Sequence, residues 1–233
     1  MNRQEIVLHV KHHGIVRAAE DIGYRLANHI VFFKVLRGIE VRAVDPKFLS
    51  CDAKYRGMFL SPGMIRKFAQ DPDYELSQEF LETALAQGDE CYGLLEGDEL
   101  AAYGWYSNKP TTSSWPDLAI RFSPSYMYMY KGFTHARHRG QRLHAVGMTR
   151  ALLEYLNRGY AGIISYIEWN NFDSLKSCLR MGYRQFGNVY VIKLFGRYII
   201  QPSKGCRAPG FHLEVRSNPG AAAGTAQNEK TAA

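Results

Sequence analysis

The run Phe133-Thr134-His135-Ala136-Arg137-His138-Arg139-Gly140-Gln141-Arg142-Leu143-His144 combines residue types that bind anions. An aromatic-rich stretch, Tyr126 to Phe133, reads as a strand, and a helix is expected to open at about Gln141. A strand that turns directly into a helix leaves the first backbone N–H groups of that helix without partners. Those groups and the aligned peptide dipoles suit a phosphate. Arg137, Arg139 and Arg142 would surround it with full positive charge. On the turn alone, a solvated connection between strand and helix explains the same residues.

The elements that must position this turn follow in order. Residues 142–158 place Ala145, Met148, Leu152, Leu153 and Leu156 at the spacing of a packed helix, which Asn157-Arg158-Gly159 ends. Gly162 to Ile167 is the expected next strand. Asn170-Asn171 can cap a second helix over 172–181 that stops at Gly182, and Val189 to Leu194 supplies a further strand.

That order, with those residues, resembles the GNAT superfamily of acyl-CoA-dependent N-acetyltransferases. The family's acyl-CoA motif, (Gln/Arg)-x-x-Gly-x-(Gly/Ala), corresponds to Arg137-His138-Arg139-Gly140-Gln141-Arg142, with Arg142 where Gly or Ala is usual. The later signature corresponds to Asn171, Ser174 and Gly182-Tyr183. The resemblance covers residues 90–195, most firmly 133–183. It implies an α/β (α+β) fold with a mixed, mainly antiparallel central sheet and flanking helices, and acetyl-CoA or another acyl-CoA as co-substrate. It also implies direct transfer of the acyl group to an amine, of a small molecule or an amino sugar, in a monomer or homodimer. Amides near Phe133, Thr134 and His135 would polarise the thioester. The backbone of 138–143, from His138 through Gly140, Gln141 and Arg142 to Leu143, would hold the pyrophosphate with help from Arg137 and Arg139. Asn171 and Ser174 would meet the pantetheine arm or cap a helix. Glu168 is the implied general base, with a solvated strand-end carboxylate as the alternative. The family's usual acid, a Tyr seven residues after the Asn, falls on Cys178, which is either the proton donor to the leaving thiolate or a small core residue. A GNAT-fold protein that binds acyl-CoA without turnover, as a sensor or assembly partner, is the alternative reading.

Composition agrees with a globular chain that favours anionic partners. The 233 residues carry a formal charge of +7 and are 46% hydrophobic and 13% aromatic. Such a charge does not choose among a phosphorylated ligand, nucleic acid and an acidic membrane surface. No nucleic-acid motif is present and acidic residues are mixed throughout, so no nucleic acid is expected. Cys51, Cys91, Cys178 and Cys206 are widely spaced without a C-x-x-C pair, which points to no metal site and a reducing cytoplasm. No signal-peptide layout and no long apolar run appear, so no transmembrane span is expected.

The remaining segments divide the chain. Residues 1–28 read as a basic, partly apolar helical segment that packs across the domain or rests peripherally on a membrane. Residues 29–200 form the catalytic-type domain. Its first strand begins near Ile30, Glu40 to Val44 is either a half-buried partner strand or a continuation after a bend at Gly38, and a hairpin over 90–107 turns at Gly97-Asp98. Leu118 to Phe122 is expected to pair with the strand that starts at Tyr126. The resemblance implies that helices between Pro62 and Gln87 help line the acceptor site, with Tyr55, Arg56, Phe59 and Tyr74 either acceptor contacts or, as the residues themselves favour, ordinary core and surface residues, and Trp115 either stacks on a substrate or lids the core. Residues 203–233 are small and polar and read as a disordered tail with a brief extended piece near Phe211 to Val215.

Overall fold

A computed structural model describes residues 8, 10–113 and 115–216. Helix α1 (Ile15–Ile30) leads into β1 (Phe32–Val41). Then come β2 (Tyr55–Phe59), α2 (Pro62–Phe68), α3 (Gln78–Gln87), and the hairpin β3 (Glu90–Glu96) and β4 (Glu99–Ser107). Short strands β5 (Thr111–Thr112) and β6 (Leu118–Arg121) precede β7 (Tyr126–Thr134), α4 (Leu143–Asn157), β8 (Gly162–Glu168) and α5 (Phe172–Arg180). A closing hairpin, β9 (Arg184–Leu194) and β10 (Arg197–Pro202), is followed by β11 (His212–Val215).

The central sheet has the order β10-β9-β1-β8-β7-β4-β3-β2, antiparallel throughout except where β7 meets β8. Helices α4 and α5 cover one face, where Ala145, Met148, Leu152 and Tyr155 of α4 pack on Leu94, Met127 and Ile163. Leu153, expected on this side, is 36% exposed. On the opposite face, α2 and α3 cover one half of the sheet through Ile65, Phe80 and Leu81. The other half is covered by a small sheet, β11-β6-β5, which carries Leu118, Ile120 and Leu213 onto Tyr126, Tyr128 and Val191.

Local signals hold where they depend on neighbouring residues. Both helices that flank β8 end on a left-handed glycine, Gly159 at φ 90° and Gly182 at φ 88°. After each glycine the chain bonds back, Tyr160 N–H to Tyr155 O and Tyr183 N–H to Cys178 O. β1 is one strand with a register shift at Gly38, where a Cβ would collide with the Phe186 ring.

Two expectations are corrected. β6 does not pair with β7; its partners are β5 and β11. The chain from 203 to 216 is built into the fold, since Cys206, Phe211 and Leu213 are buried in the core under the small sheet. Residues 217–233 lie outside the described residues. Helix α1 docks by a face that mixes small apolar and polar residues. Ala18, Asp21 and Tyr24 are buried, Asp21 accepts from Asn170 Nδ2 at 2.9 Å and the Tyr24 hydroxyl accepts from Val35 N–H at 3.2 Å, while Leu26 stays 62% exposed. The small Ala18 side chain permits close approach, and the hydrogen bonds satisfy the polar groups so buried.

Among the described residues no helix is long and apolar enough to cross a membrane, and no group of three or more His, Cys, Asp or Glu converges as metal ligands would. All four cysteines are free.

Candidate active site

The site begins where the sheet comes apart. β7 and β8 run parallel only from Tyr126–Gly162 to Tyr128–Ile164. Beyond that, β7 continues against β4 as far as Thr134, and β8 continues against β1 as far as Glu168. Ser165 Oγ donates to Met129 O at 2.8 Å and closes the apex of the resulting wedge. The wedge opens into a cleft of roughly 1480 Å³.

Strand alternation fixes which amides face that opening. His135 N–H donates to Ala101 O at 2.9 Å, so the directly opposed pairs Ala101–His135 and Tyr103–Phe133 exchange bonds across β4 and β7. The N–H groups of Thr134 and Gly132 therefore point the other way, into the wedge. Of the three expected thioester amides only that of Thr134 is free to act; those of Phe133 and His135 are spent on β4. Gly132 takes their place. A Cβ at Gly132 would lie 2.5 Å from His144 Cε1, so only glycine leaves room for the imidazole beside this amide.

The turn after β7 is a single 3-10 turn, Ala136–His138, capped by His135 Nδ1, which accepts from Arg137 N–H at 3.3 Å. Gly140 (φ 77°) and Arg142 (φ 59°) are both left-handed, and α4 starts at Leu143, later than the sequence suggested. No side chain caps α4, so the N–H groups of Leu143, His144 and Ala145 remain available beside Arg139, Gly140 and Arg142 at the cleft wall. Leu143 itself is buried and anchors the helix start.

Other residues of the turn are committed elsewhere. Arg137 reaches Glu99 at 3.4 Å and does not line the cleft, so its assistance to a pyrophosphate is not supported. Gln141 Oε1 accepts from the Tyr55 hydroxyl at 2.8 Å, and His138 Nδ1 lies 3.1 Å from the same hydroxyl and 3.3 Å from Glu96. Tyr55 is therefore a buried post that pins the turn to β2 and β3, and not an acceptor contact. Tyr74 is buried as well, Phe59 packs on Tyr92, and neither they nor Arg56 line the cleft. The wall expected from this region is built from Pro72, Glu75, Leu76 and Ser77 to Phe80. Trp115 packs edge-on against Phe32 away from the cleft, as a lid on the core.

Arg142 is an exposed L-residue in a conformation that disfavours a Cβ by about 1–2 kcal/mol. Arg142→Gly is expected to stabilise the fold by about 1 kcal/mol, or ~2–4 °C in Tm for a chain of this size. An unchanged or lowered Tm in a thermal melt would show that the turn holds no such strain.

On the far side of the wedge, Asn171 caps α5 by accepting from Ser174 N–H at 3.1 Å, and both residues line the cleft. Glu168 is 7% exposed, lines the cleft and pairs with Lys34 at 3.1 Å, while Lys34 also sits over the Trp115 ring at 5.6 Å. Glu168 is thus a held, inward carboxylate and not a solvated strand end. Cys178 also lines the cleft, but burial pushes its thiol up to about 12. It packs partly buried against the core under α4 and α5, and a thiol held in its neutral form there gives up its proton less readily. Two wall residues carried no earlier assignment. His144 is an imidazole that burial keeps toward its neutral form. Lys131 extends over the Phe80 ring at 5.2 Å. Lys131 reaches the cleft because β7 and β8 separate, and His144 because it stands in the first turn of α4.

Solved structures similar to this chain include a GCN5-related N-acetyltransferase-like protein from Streptococcus suis (12% identity, 79% of this chain and 68% of that one, TM-score 0.47). An N-acetyltransferase from Staphylococcus aureus is similar at 11% identity over 69% of this chain and 98% of that one, with TM-score 0.44. An aminoglycoside acetyltransferase from an uncultured soil metagenomic sample is similar at 13% identity over 56% and 88%, with TM-score 0.42. The likeness is one of fold alone. No family model matches the chain, and no curated protein matches it.

Proposed function

We propose that the protein is an acyl-CoA-dependent N-acyltransferase that moves an acyl group, acetyl in the simplest case, onto an amine of a small molecule or amino sugar. One observation carries this reading. The uncapped start of α4, flanked by left-handed Gly140 and Arg142, opens onto the same wedge into which Gly132 and Thr134 direct free N–H groups. An anion site and a pair of strand amides on one continuous cleft suit a long ligand with phosphate at one end and a carbonyl at the other.

In the proposed reaction the acceptor nitrogen attacks the thioester carbon, the amide N–H groups steady the developing oxyanion, and the C–S bond then breaks. Glu168 takes the proton from nitrogen, directly or through water, and the thiolate leaves to be protonated by solvent. The shared placement of Glu168 and the free amides on one cleft supports turnover over acyl-CoA binding alone. A cytoplasmic protein would meet this co-substrate.

Titration calorimetry with acetyl-CoA and longer acyl-CoAs tests the reading on the native protein and Gly140→Trp. Gly140 has open space where a Cβ would be added, but its φ of 77° strains any L side chain, so a thermal melt of Gly140→Trp is run alongside to show that the fold is kept. Micromolar binding is expected for the native protein, weakened at least about 30-fold by the substitution, which is about 2 kcal/mol. Folded protein that binds no acyl-CoA would overturn it.

A further inference from the structure

The cleft crosses the sheet, and its two sides are chemically unlike. On the α4 side lie the free amides and arginines of the turn. On the opposite face, the wall belongs to α3, the segment before it, and the outward residues of β7 and β8. Of the charged residues that line the cleft, Glu168 is held by Lys34, and Arg139, Arg142, Lys176 and Arg180 are exposed to solvent.

Lys131 is different. It precedes Gly132 on β7, is half-buried, and lines the cleft with its ammonium over Phe80. Among the described residues nothing forms a hydrogen bond or an ion pair with it. Burial pulls its pKa down, and the charge of Glu75 offsets this in part. A quadrupole contact with one ring is worth less than a paired carboxylate. The site thus contains a desolvated cation one residue from the amide that would hold the acyl carbonyl, on the side from which an acceptor enters. Glu75 and Glu79 line the same side but are exposed, so the wall is negative outside and positive within.

We propose that the acceptor carries an anionic group, a carboxylate or a phosphate, within a few bonds of its reacting amine, and that Lys131 holds that group. This deepens the acyl-transfer reading and rests on it. A zwitterionic acceptor fits the field: its ammonium is drawn past Glu79 and Glu75, its anion settles on Lys131, and the amine loses its proton near Glu168. A polycationic amine would instead have to place a positive charge against Lys131.

The test compares acceptors of matched size that differ in one group: β-alanine, O-phosphoethanolamine, ethanolamine and ethylenediamine, with amino sugars and their phosphates. Thiol release from acetyl-CoA is followed for each. The anionic amines are expected to exceed their neutral and dicationic counterparts at least about tenfold in kcat/KM, the ratio expected of one charge-assisted hydrogen bond. The better of the first two names the group as carboxylate or phosphate. Lys131→Met should raise KM for the anionic amines about tenfold or more with kcat within threefold, and Lys131→Arg should restore most of it. The proposal is overturned if no anionic amine is acylated, if neutral or dicationic amines do as well, or if Lys131→Met leaves KM unchanged. It is also overturned if intact mass shows the acyl group on Lys131 itself. Calorimetric acetyl-CoA binding by Lys131→Met separates these outcomes from a failure of the acyl-transfer reading, which would remove that binding in the native protein too.

Discussion

Glu168→Gln is expected to lower kcat by about 10²–10³-fold while acyl-CoA binding stays within a few-fold of the native value. The carboxylate sits at the end of β8, where the strand has left β7 and joined β1, so it borders the open cleft. Its neighbour across the register, Leu36, is fully buried, which fixes the backbone there. The amide of glutamine keeps the size of the side chain and an oxygen that Lys34 Nζ can donate to, so the fold should be little affected. What disappears is the capacity to accept a proton. A loss of kcat with unchanged KM and unchanged binding identifies a group needed only as the bond forms. A kcat within threefold of the native value would remove Glu168 from the mechanism, and the partly buried His144 on the opposite wall would be the next group to test.

The parts of this site that were legible in the sequence are the parts made by near neighbours. Asn171 and the Ser174 amide lie three residues apart, and Gly159 and Gly182 end helices through bonds of four or five residues' reach, so composition and spacing announce them. The same holds for the Gly97-Asp98 turn, where Gly97 adopts φ 59°. Contacts with distant partners were not legible. Glu168 and the turn after β7 were picked out, but not what holds them, Lys34 for the one and Tyr55 for the other, in both cases side chains far away in the chain. The directions of the Phe133, Thr134 and His135 amides depend on the register with β4, and a shift of one residue would exchange the free and the bonded groups. Lys131 follows from the separation of two strands that a linear pattern presents only as two strands.

The C-terminal segment shows the same limit and yields the second large effect. Phe211→Ala is expected to destabilise the fold by about 3–5 kcal/mol, or roughly 8–15 °C in Tm. Read along the chain, residues 203–216 offer few apolar groups to set against the entropy of ordering. The deficit is made up because three of them, Cys206, Phe211 and Leu213, enter a core already formed by Tyr126, Tyr128, Ile164 and Val191. Phe211 is 1% exposed and meets Phe186 edge-on at 5.5 Å, and the Phe186 ring in turn fills the space that Gly38 leaves on β1. Removing the phenyl group therefore opens a void among rigid strands that cannot close around it. It also loosens the small sheet behind Tyr128, a cleft residue, so stability and the shape of the site are supported by one packing unit. Phe195 supplies the control. It is fully exposed at the tip of the β9–β10 turn, and Phe195→Ala should change stability by no more than about 0.5 kcal/mol. Equal Tm values for the two variants would mean that the segment after Pro202 adds no stability, and that the sequence reading of a loose tail from residue 203 was correct.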